Sequence, residues 1–390
     1  MKYNFDEIID RNGTNCMKND NLNLIYGRDD LLPLWIADMD FKCSPKIIDA
    51  LKKRVEHGIF GYTTPGDDYY NAIINWQQRK HNWQIKKEWI TFVPGVVKGI
   101  AFAIDAFTKE GDKILIQPPV YHPFKMVTEG LGRGIVNNPL KYENGTFEMD
   151  LEELKKLTAD HNCKMMILCN PHNPGGKVWS PEVLTRVAEI CYDNNVVVVS
   201  DEIHADLTLP GNKHRPFATI SAKAKQNCVT LMAPSKTFNV AGLISSFAII
   251  PNHGLRQKYM SYVEPRELFQ GTLFGYEATK VAFNECEDWL DEALAYIQEN
   301  IRFVEKYLAR EIPQIKPMIP EASFLIWLDC TALKLPQEQL VSLFVEKAHL
   351  ALNDGTMFGV GGEGFMRLNI GSPRSVIEKA LDNLKKAIDS

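Results

Sequence analysis

Long hydrophobic runs are missing from this chain of 390 residues. Its longest apolar stretches, at residues 100–104 and 196–199, fall far short of the roughly 20 residues that a membrane-spanning helix requires. The first residues, MKYNFDE, also lack the basic start and the apolar middle of a secretory signal. We therefore expect a soluble, cytoplasmic protein without a membrane partner.

An excess of positive charge is missing as well. The chain has 44 lysines and arginines against 49 aspartates and glutamates, which gives a net charge of -5 and a pI near 6.0. Such a balance does not attract nucleic acid or an anionic membrane surface. Small molecules or other proteins are the favoured partners, and no nucleic acid partner is expected.

Cysteine pairs of the Cys-x-x-Cys type, zinc-ligand spacings, repeats and low-complexity segments are all lacking. The eight scattered cysteines indicate reduced, mostly buried thiols, because the chain is long and shows no leader. The nine histidines give no reason to expect a metal site. Because no long linker divides the chain, a second domain must pack closely on the first.

Short apolar runs that alternate with helical patterns are present between about residues 90 and 250. This alternation predicts an α/β fold with a mainly parallel sheet. A Ser180–Pro181 start signal predicts a helix that reaches about Asn194. The predicted strands are residues 113–117, 165–169, 196–200, 229–232 and 247–250.

The final third of the chain has a different pattern. One long helical pattern runs from Tyr276 to about Arg310 and leads into apolar runs at residues 324–328 and 366–370. We interpret this part as a smaller α+β domain on which the N-terminal segment docks. The predicted boundaries are 46–282 for the large domain, and 1–45 with 283–390 for the discontinuous small domain.

Four of the predicted strands are followed by unusual polar or aromatic residues. In open α/β sheets, ligands bind beyond the carboxyl ends of the strands, so these residues should meet at one edge. They supply an aromatic ring, an amide, a carboxylate and an amine. The segments are 118–121 (PPVY), 170–176 (NPHNPGG), 200–204 (SDEIH) and 233–238 (APSKTF).

The amine and the carboxylate point to one kind of cofactor. A pyridine ring that stores electrons needs an amine that binds it covalently and a carboxylate that keeps its nitrogen protonated. Lys236 and Asp201 suit these roles. Alone, each has a structural explanation, as a solvated loop lysine and as a helix-capping aspartate. Together with the other strand ends, they favour the cofactor.

These motifs resemble the fold-type-I pyridoxal-phosphate enzymes, the aspartate aminotransferase superfamily. Within it, the chain is similar to the cystathionine and cysteine β-lyase branch (the MalY/PatB type). The resemblance covers nearly the whole chain and implies a large domain with a mainly parallel seven-stranded sheet plus a smaller α+β domain. The strings that carry it are 35–41 (WIADMDF), 200–207 (SDEIHADL), 233–239 (APSKTFN) and 365–369 (FMRLN).

The resemblance implies pyridoxal 5'-phosphate as the cofactor and gives roles to residues around its ring. Lys236 would bind it covalently and later shuttle the Cα proton, and Asp201 would pair with the ring nitrogen. Asn173 would hydrogen-bond the 3-oxygen of the ring. Tyr121 would stack on the ring, and His204 stands where many aminotransferases place a tyrosine. A structural aromatic near a turn and a core histidine are the alternatives for these last two.

The phosphate is expected at a helix N-terminus, which favours an anion through its free N–H groups and its dipole. Gly95 precedes an apolar helical pattern, so the amides of Val96 and Val97 are assigned to the phosphate, with the Ser235 hydroxyl. Tyr62 matches the tyrosine that, in the resembling family, reaches the phosphate from the neighbouring subunit. This role implies a homodimer with shared active sites.

Substrate binding is assigned to Arg367, which would receive the α-carboxylate because guanidinium offers two parallel donors. The amide of Ala37 would assist it, and a surface-paired arginine is the alternative. Many aminotransferases carry a phosphate-binding arginine where this chain has Ile244. Lys98 and His122 are also less typical of the β-lyase branch, and they bear on the phosphate charge and on the leaving-group pocket.

The favoured function is a pyridoxal-phosphate-dependent carbon–sulfur β-lyase that releases a thiol, pyruvate and ammonia. Cystathionine, cystine, cysteine or a cysteine S-conjugate could serve as substrate. An aminotransferase is the first alternative, since it shares every step up to removal of the Cα proton. A regulatory protein that binds a transcription factor is the second, although the intact Lys236 and Asp201 favour chemistry.

Overall fold

A computed structural model describes residues 2–390, which alternate between strands and helices along most of their length. The strands are β1 (Leu32–Pro33), β2 (Ile90–Val93), β3 (Lys113–Ile116), β4 (Gly134–Asn137), β5 (Lys141–Glu143), β6 (Thr146–Glu148), β7 (Cys163–Cys169), β8 (Val197–Asp201), β9 (Cys228–Met232), β10 (Ser246–Ile249), β11 (Lys316–Met318), β12 (Leu325–Asp329), β13 (Leu350–Ala351), β14 (Asn353–Asp354) and β15 (Phe365–Asn369). The α-helices are α1 (Met17–Asp20), α2 (Leu22–Tyr26), α3 (Pro45–Glu56), α4 (Asp67–His81), α5 (Val96–Phe107), α6 (Pro123–Gly130), α7 (Leu151–Thr158), α8 (Pro181–Asp193), α9 (Ala222–Gln226), α10 (Pro234–Thr237), α11 (His253–Val263), α12 (Leu273–Glu285), α13 (Glu287–Glu311), α14 (Gln337–Ser342) and α15 (Arg374–Asp389).

The central sheet has seven strands in the order β2-β10-β9-β8-β7-β3-β4. The strands from β9 to β4 in this order pair in parallel, whereas β10 runs antiparallel to both of its neighbours. Side chains alternate between the two faces, so that Leu115 packs in one buried cluster while Ile114 and Ile116 pack in another, under α5 and α11. The predicted α/β fold with a mainly parallel seven-stranded sheet is confirmed.

The helices confirm one prediction from the sequence and correct another. Ser180 caps α8 as expected, since its Oγ accepts the backbone N–H of Val183 at 3.3 Å. The single helix predicted from Tyr276 to Arg310 is wrong, because Cys286 leaves the helical conformation and separates α12 from α13. The break lets α12 pack on α3 and α4 while α13 packs on α15 and β11.

Among residues 2–390, no helix has the length and apolar character that crossing a membrane requires.

A second, antiparallel sheet has the order β11-β12-β15-β14 and packs with α13 and α15 in the C-terminal part of the chain. The N-terminal segment joins this part through β1, which pairs in parallel with β13 and places Leu32 opposite Leu350. This pairing fits a discontinuous small domain. The exact domain boundaries stay predictions.

Candidate active site

A cavity of about 260 Å³ lies at the carboxyl ends of the central parallel strands. Its position follows from topology, because the segments after β7, β8 and β9 all emerge at the same edge of the sheet. All but two of the site residues predicted from the sequence line it. They are Ala37, Val96, Val97, Tyr121, Asn173, Asp201, His204, Ser235 and Lys236.

Lys236 provides the amine of the cavity. It lies in the short helix α10, directly after β9, and its Nζ donates a hydrogen bond to the carbonyl oxygen of Ala37. Burial lowers the pKa of Lys236 to about 8, although the nearby Asp38 charge acts in the opposite direction. A substantial fraction of this lysine is therefore neutral near physiological pH, as a nucleophilic amine must be.

Asp201 provides the carboxylate. It is the last residue of β8, it is buried, and one of its oxygens accepts the backbone N–H of Ile203 at 3.1 Å. Burial raises its pKa to about 7, and the adjacent Glu202 charge acts in the same direction. Among residues 2–390 it forms no salt bridge. A buried carboxylate without a cation is suited to accept a hydrogen bond from a protonated ring nitrogen.

Three further side chains surround the middle of the cavity. The backbone N–H of Tyr121 donates to the carbonyl oxygen of Asn173 at 3.1 Å, which holds the two residues side by side. His204 is buried, and its Nδ1 has no hydrogen-bond partner within residues 2–390. Burial lowers the pKa of His204 to about 3, with further lowering by Lys236 and Arg367, so its ring is neutral. Both Tyr121 and His204 line the cavity, as the site roles predicted for them require.

One end of the cavity is the N-terminus of α5. The helix begins at Val96 after Gly95, whose φ of 111° lies in a region that favours glycine. The first-turn amides have no partner within a helix, so they can bind an anion. Lys98, Ser235 and Ile244 also line the cavity. Ile244 has a φ of 51°, which is strained for a β-branched residue.

Arg367 lies beside the cavity rather than on its lining. It is buried on β15 and donates to Asn173 Oδ1 at 3.0 Å, to the Trp35 carbonyl oxygen at 2.7 Å and to Asn353 Oδ1. All three acceptors are neutral, and the described residues offer it no carboxylate. Burial lowers the pKa of Arg367 to about 10. Arg367 is therefore not an arginine paired with a carboxylate at the surface. Its guanidinium can bind an anion that reaches the cavity.

Tyr62 is the other predicted site residue that does not line the cavity. It is fully exposed on the loop between α3 and α4. An exposed position is compatible with a contact to a second subunit. Its role at a partner's phosphate stays a prediction.

Sequence reasoning missed several residues of the site. Cys169 lines the cavity, and its Sγ accepts the backbone N–H of Asn173 at 3.3 Å. Its position at the end of an apolar run, directly before an Asn-Pro motif, was a usable signal. Trp35 and Asn353 contact Arg367 from distant parts of the chain, and no local pattern indicates such contacts.

Comparison with known proteins places this site in a family. The family model described as aminotransferase class I and II matches residues 29–384. The chain is 43% identical to the cystathionine beta-lyase PatB of Bacillus subtilis, which covers 99% of this chain and 100% of that protein. It is 32% identical to the protein MalY of Escherichia coli, with 99% of both chains covered.

Two solved structures are similar over the whole chain. Cystalysin from Treponema denticola, which contains a pyridoxal 5'-phosphate cofactor, matches with a TM-score of 0.96 and 35% identity, covering 100% of this chain and 99% of that one. The pyridoxal-phosphate-bound C-S lyase from Staphylococcus hominis matches with a TM-score of 0.92 and 33% identity, covering 100% and 98%.

Proposed function

This chain belongs to the aminotransferase class I and II family, and we propose that it is a pyridoxal-phosphate-dependent carbon–sulfur β-lyase. Its substrate is an L-amino acid with sulfur on Cβ, such as cystathionine, cystine, cysteine or a cysteine S-conjugate, and its products are a thiol, pyruvate and ammonia. The observation that carries the proposal is the pair of buried groups, Lys236 and Asp201, on one cavity. The full-length similarity to lyases supports it.

The cavity fits the cofactor in the kinds of groups that it offers. A free buried carboxylate, Asp201, suits the ring nitrogen, and the first-turn amides of Val96 and Val97 with the Ser235 hydroxyl suit the phosphate. When bound, pyridoxal phosphate supplies an electron sink that makes the Cα–H bond of an amino acid weakly acidic. Lys236 supplies the amine that holds it.

The residues of the chain then have separate tasks. Lys236 would hold the cofactor covalently through Nζ, and its neutral amine would accept the Cα proton of the substrate. Asp201 keeps the proton on the ring nitrogen. Arg367 orients the substrate through its α-carboxylate, and the amide of Ala37 assists.

The remaining predicted residues hold the ring in place. Tyr121 would stack on it, Asn173 would donate to its 3-oxygen, and His204, whose ring is neutral, would contact the same region. Tyr62 of a second copy reaches the phosphate, so that the enzyme is a homodimer with shared sites. The full exposure of Tyr62 supports this arrangement.

Two further proposals concern the domain boundaries of the chain and its location in the cell. The large cofactor-binding domain spans residues 46–282, and the small domain combines 1–45 with 283–390, which the pairing of β1 with β13 supports. The protein is located in the cytoplasm. All eight cysteines are free, as is usual in a reducing compartment.

The test is an assay of pyruvate release from cystathionine and from cysteine, with and without an added 2-oxo acid. We expect pyruvate from the wild-type enzyme without the 2-oxo acid, and none from Lys236→Ala. The exposed Lys125→Ala is the matched control and should keep full activity. Turnover that requires the 2-oxo acid would indicate an aminotransferase instead, and a protein that neither binds the cofactor nor turns over would be a regulator.

A further inference from the structure

A buried acid–histidine pair lies next to Asp201, outside the cavity lining. Glu202 Oε2 and His214 Nε2 are 2.8 Å apart, with side-chain exposures of 0% and 1%. The other carboxylate oxygen, Oε1, accepts the Ser200 hydroxyl and the backbone N–H of Phe217, each at 2.9 Å. Because Glu202 directly follows Asp201 in the chain, these bonds fix the backbone that carries Asp201.

A second buried pair lies behind Lys236. Asp206 Oδ1 is 2.8 Å from His81 Nε2 and accepts the indole N–H of Trp76 at 3.0 Å. Its other oxygen, Oδ2, accepts the hydroxyl of Thr237 at 3.1 Å. Burial raises the pKa of Asp206, but these donors outweigh burial and lower it, so Asp206 is an anion. Thr237 is the neighbour of Lys236 on α10, and this bond anchors the helical turn that presents the amine.

The two pairs meet through their histidines. The rings of His81 and His214 are 5.6 Å apart and packed edge to face. A separate cavity of about 160 Å³ is lined by His81 and His214 together with Lys80 and Lys213. The Cys228 thiol also faces Glu202, and its raised pKa reflects burial and that charge.

We propose that Glu202 and Asp206 are positioning residues of the reaction, which hold Asp201 and Lys236 and set the negative potential around the bound cofactor. This inference rests on the proposed function. The geometry supports it because Glu202 directly follows Asp201 in the chain. Asp206 accepts a hydrogen bond from Thr237, which directly follows Lys236. Supporting contacts of this kind fix functional side chains to within about 0.5 Å in preorganised sites.

The negative charge of Glu202 and Asp206 distinguishes the proposed role from a purely structural one, which an amide of the same shape could also fill. Burying a carboxylate costs free energy that an amide of the same shape does not cost. The variants Glu202→Gln and Asp206→Asn keep the shape and most hydrogen bonds but remove the charge. Glu202→Gln can still bond His214 when that ring carries its proton on Nδ1, which is buried and has no partner in the described chain.

The experiment measures the visible absorption of the reconstituted holoenzyme against pH. A nearby negative charge favours the protonated form of the bound cofactor, so its removal should lower the pH midpoint of the absorption change. We expect a decrease of about 1.2 pH units in Glu202→Gln and in Asp206→Asn, which is the shift that removal of a unit charge at roughly 10 Å gives at an effective dielectric constant of about 20. Midpoints equal to that of the wild type in both folded variants would overturn the proposal.

Two controls separate this role from general destabilisation. Asn300→Ala removes buried hydrogen bonds to the carbonyl oxygens of Ile370 and Ser372, so it should lower the melting temperature and leave the midpoint unchanged. Thr237→Val breaks only the link from Asp206 and should lower kcat several-fold without a matching rise in KM, while Thr237→Ser should restore kcat.

The Thr237 variants also decide the question if the charge variants do not fold. A wild-type kcat in Thr237→Val would then overturn the positioning role of Asp206. A failure of this inference can be told apart from a failure of the proposed function. A wild-type protein that binds no pyridoxal phosphate contradicts the proposed function, whereas a holoenzyme with one midpoint in all variants contradicts only this inference.

Discussion

Three buried charges give the cavity its chemical character at the scale of single residues. Burial brings the pKa of Lys236 to about 8, that of Asp201 to about 7 and that of Arg367 to about 10. Each shift disfavours the charged form, so the cavity by itself stabilises none of its charges fully. A ligand with a cationic ring nitrogen and an anionic carboxylate, as the proposed substrate and cofactor have, would offset these costs.

The lowered pKa of Lys236 predicts how the apoprotein captures its cofactor. Only the neutral amine attacks an aldehyde, and its fraction rises as the pH passes the pKa of the folded protein. The rate of pyridoxal phosphate capture should therefore rise up to about pH 8 and then level off. Stopped-flow absorbance of the apoprotein measures it, and Lys236→Ala should show no such phase. A rate that rises without levelling up to pH 10 would mean that burial does not perturb this lysine.

Arg367 predicts a loss of substrate binding on a conservative change. In Arg367→Lys a single ammonium cannot reproduce the paired donors of guanidinium, and a lost charge-assisted hydrogen bond costs about 1.5–3 kcal/mol. We expect KM to rise about 10- to 150-fold for every α-amino acid substrate, whatever its leaving group. The exposed Arg302→Lys is the control. An unchanged KM would show that Arg367 only joins Trp35 and Asn173.

Whole elements could be predicted from the sequence where their burial is uniform. The parallel strands β7, β8 and β9 are almost fully buried, so they read as continuous apolar runs and were found to within two residues of their bounds. The edge strand β4 is partly exposed and has no such run. The edge strand β2 is buried along its whole length but was not predicted, because Thr91 interrupts its short apolar run. The break at Cys286 gave no signal, because the apolar pattern continues across it while the helix direction changes.

The residues of the candidate site that follow buried strands could be predicted, because those strands are continuous apolar runs in the sequence. Its cofactor residues follow buried strands, so topology alone brings Asp201 and Lys236 together. The contacts of Asn353 with Arg367, and of Asp206 with Thr237, join separate segments whose meeting depends on packing across the molecule. No local periodicity encodes such contacts, which is why the supporting network appeared only in the structure.

The N-terminus of α5 predicts a role for Lys98 in phosphate binding. Lys98 lies in the first turn of α5 and lines the cavity, as does Ile244, which stands where many aminotransferases have an arginine. An exposed cation near an anion contributes about 0.5–1 kcal/mol, so Lys98→Gln should raise the dissociation constant of pyridoxal phosphate about 2- to 5-fold. Equilibrium dialysis measures this constant. Lys109→Gln, beyond the other end of the helix, should leave it unchanged, and an equal constant in Lys98→Gln would exclude the contact.

At the scale of the whole molecule, distant segments close around the cavity. Lys236 bonds the carbonyl oxygen of Ala37, and Asn239 donates to the carbonyl oxygens of Met39 and Phe41, each at 2.8 Å. These bonds fasten the N-terminal segment to the central sheet, while Arg367 on the second sheet donates to Asn173, which lines the cavity. If Arg367 binds the substrate as proposed, substrate binding depends on how the two parts of the chain meet.

The last prediction concerns the assembly, and it depends on Tyr62. This residue is fully exposed and does not line the cavity of its own chain, so it can serve a phosphate only across an interface. Two-fold symmetry makes the exchange reciprocal, with two sites in each dimer. When inactive Lys236→Ala chains are mixed with impaired Tyr62→Ala chains, each heterodimer holds one site with both lesions and one site with neither. We expect about half of the wild-type activity per heterodimer in the pyruvate assay, against none in the Lys236→Ala homodimer and little in the Tyr62→Ala homodimer. Heterodimers that form, as native mass spectrometry can show, but that recover no activity would mean that Tyr62 does not act across a subunit interface.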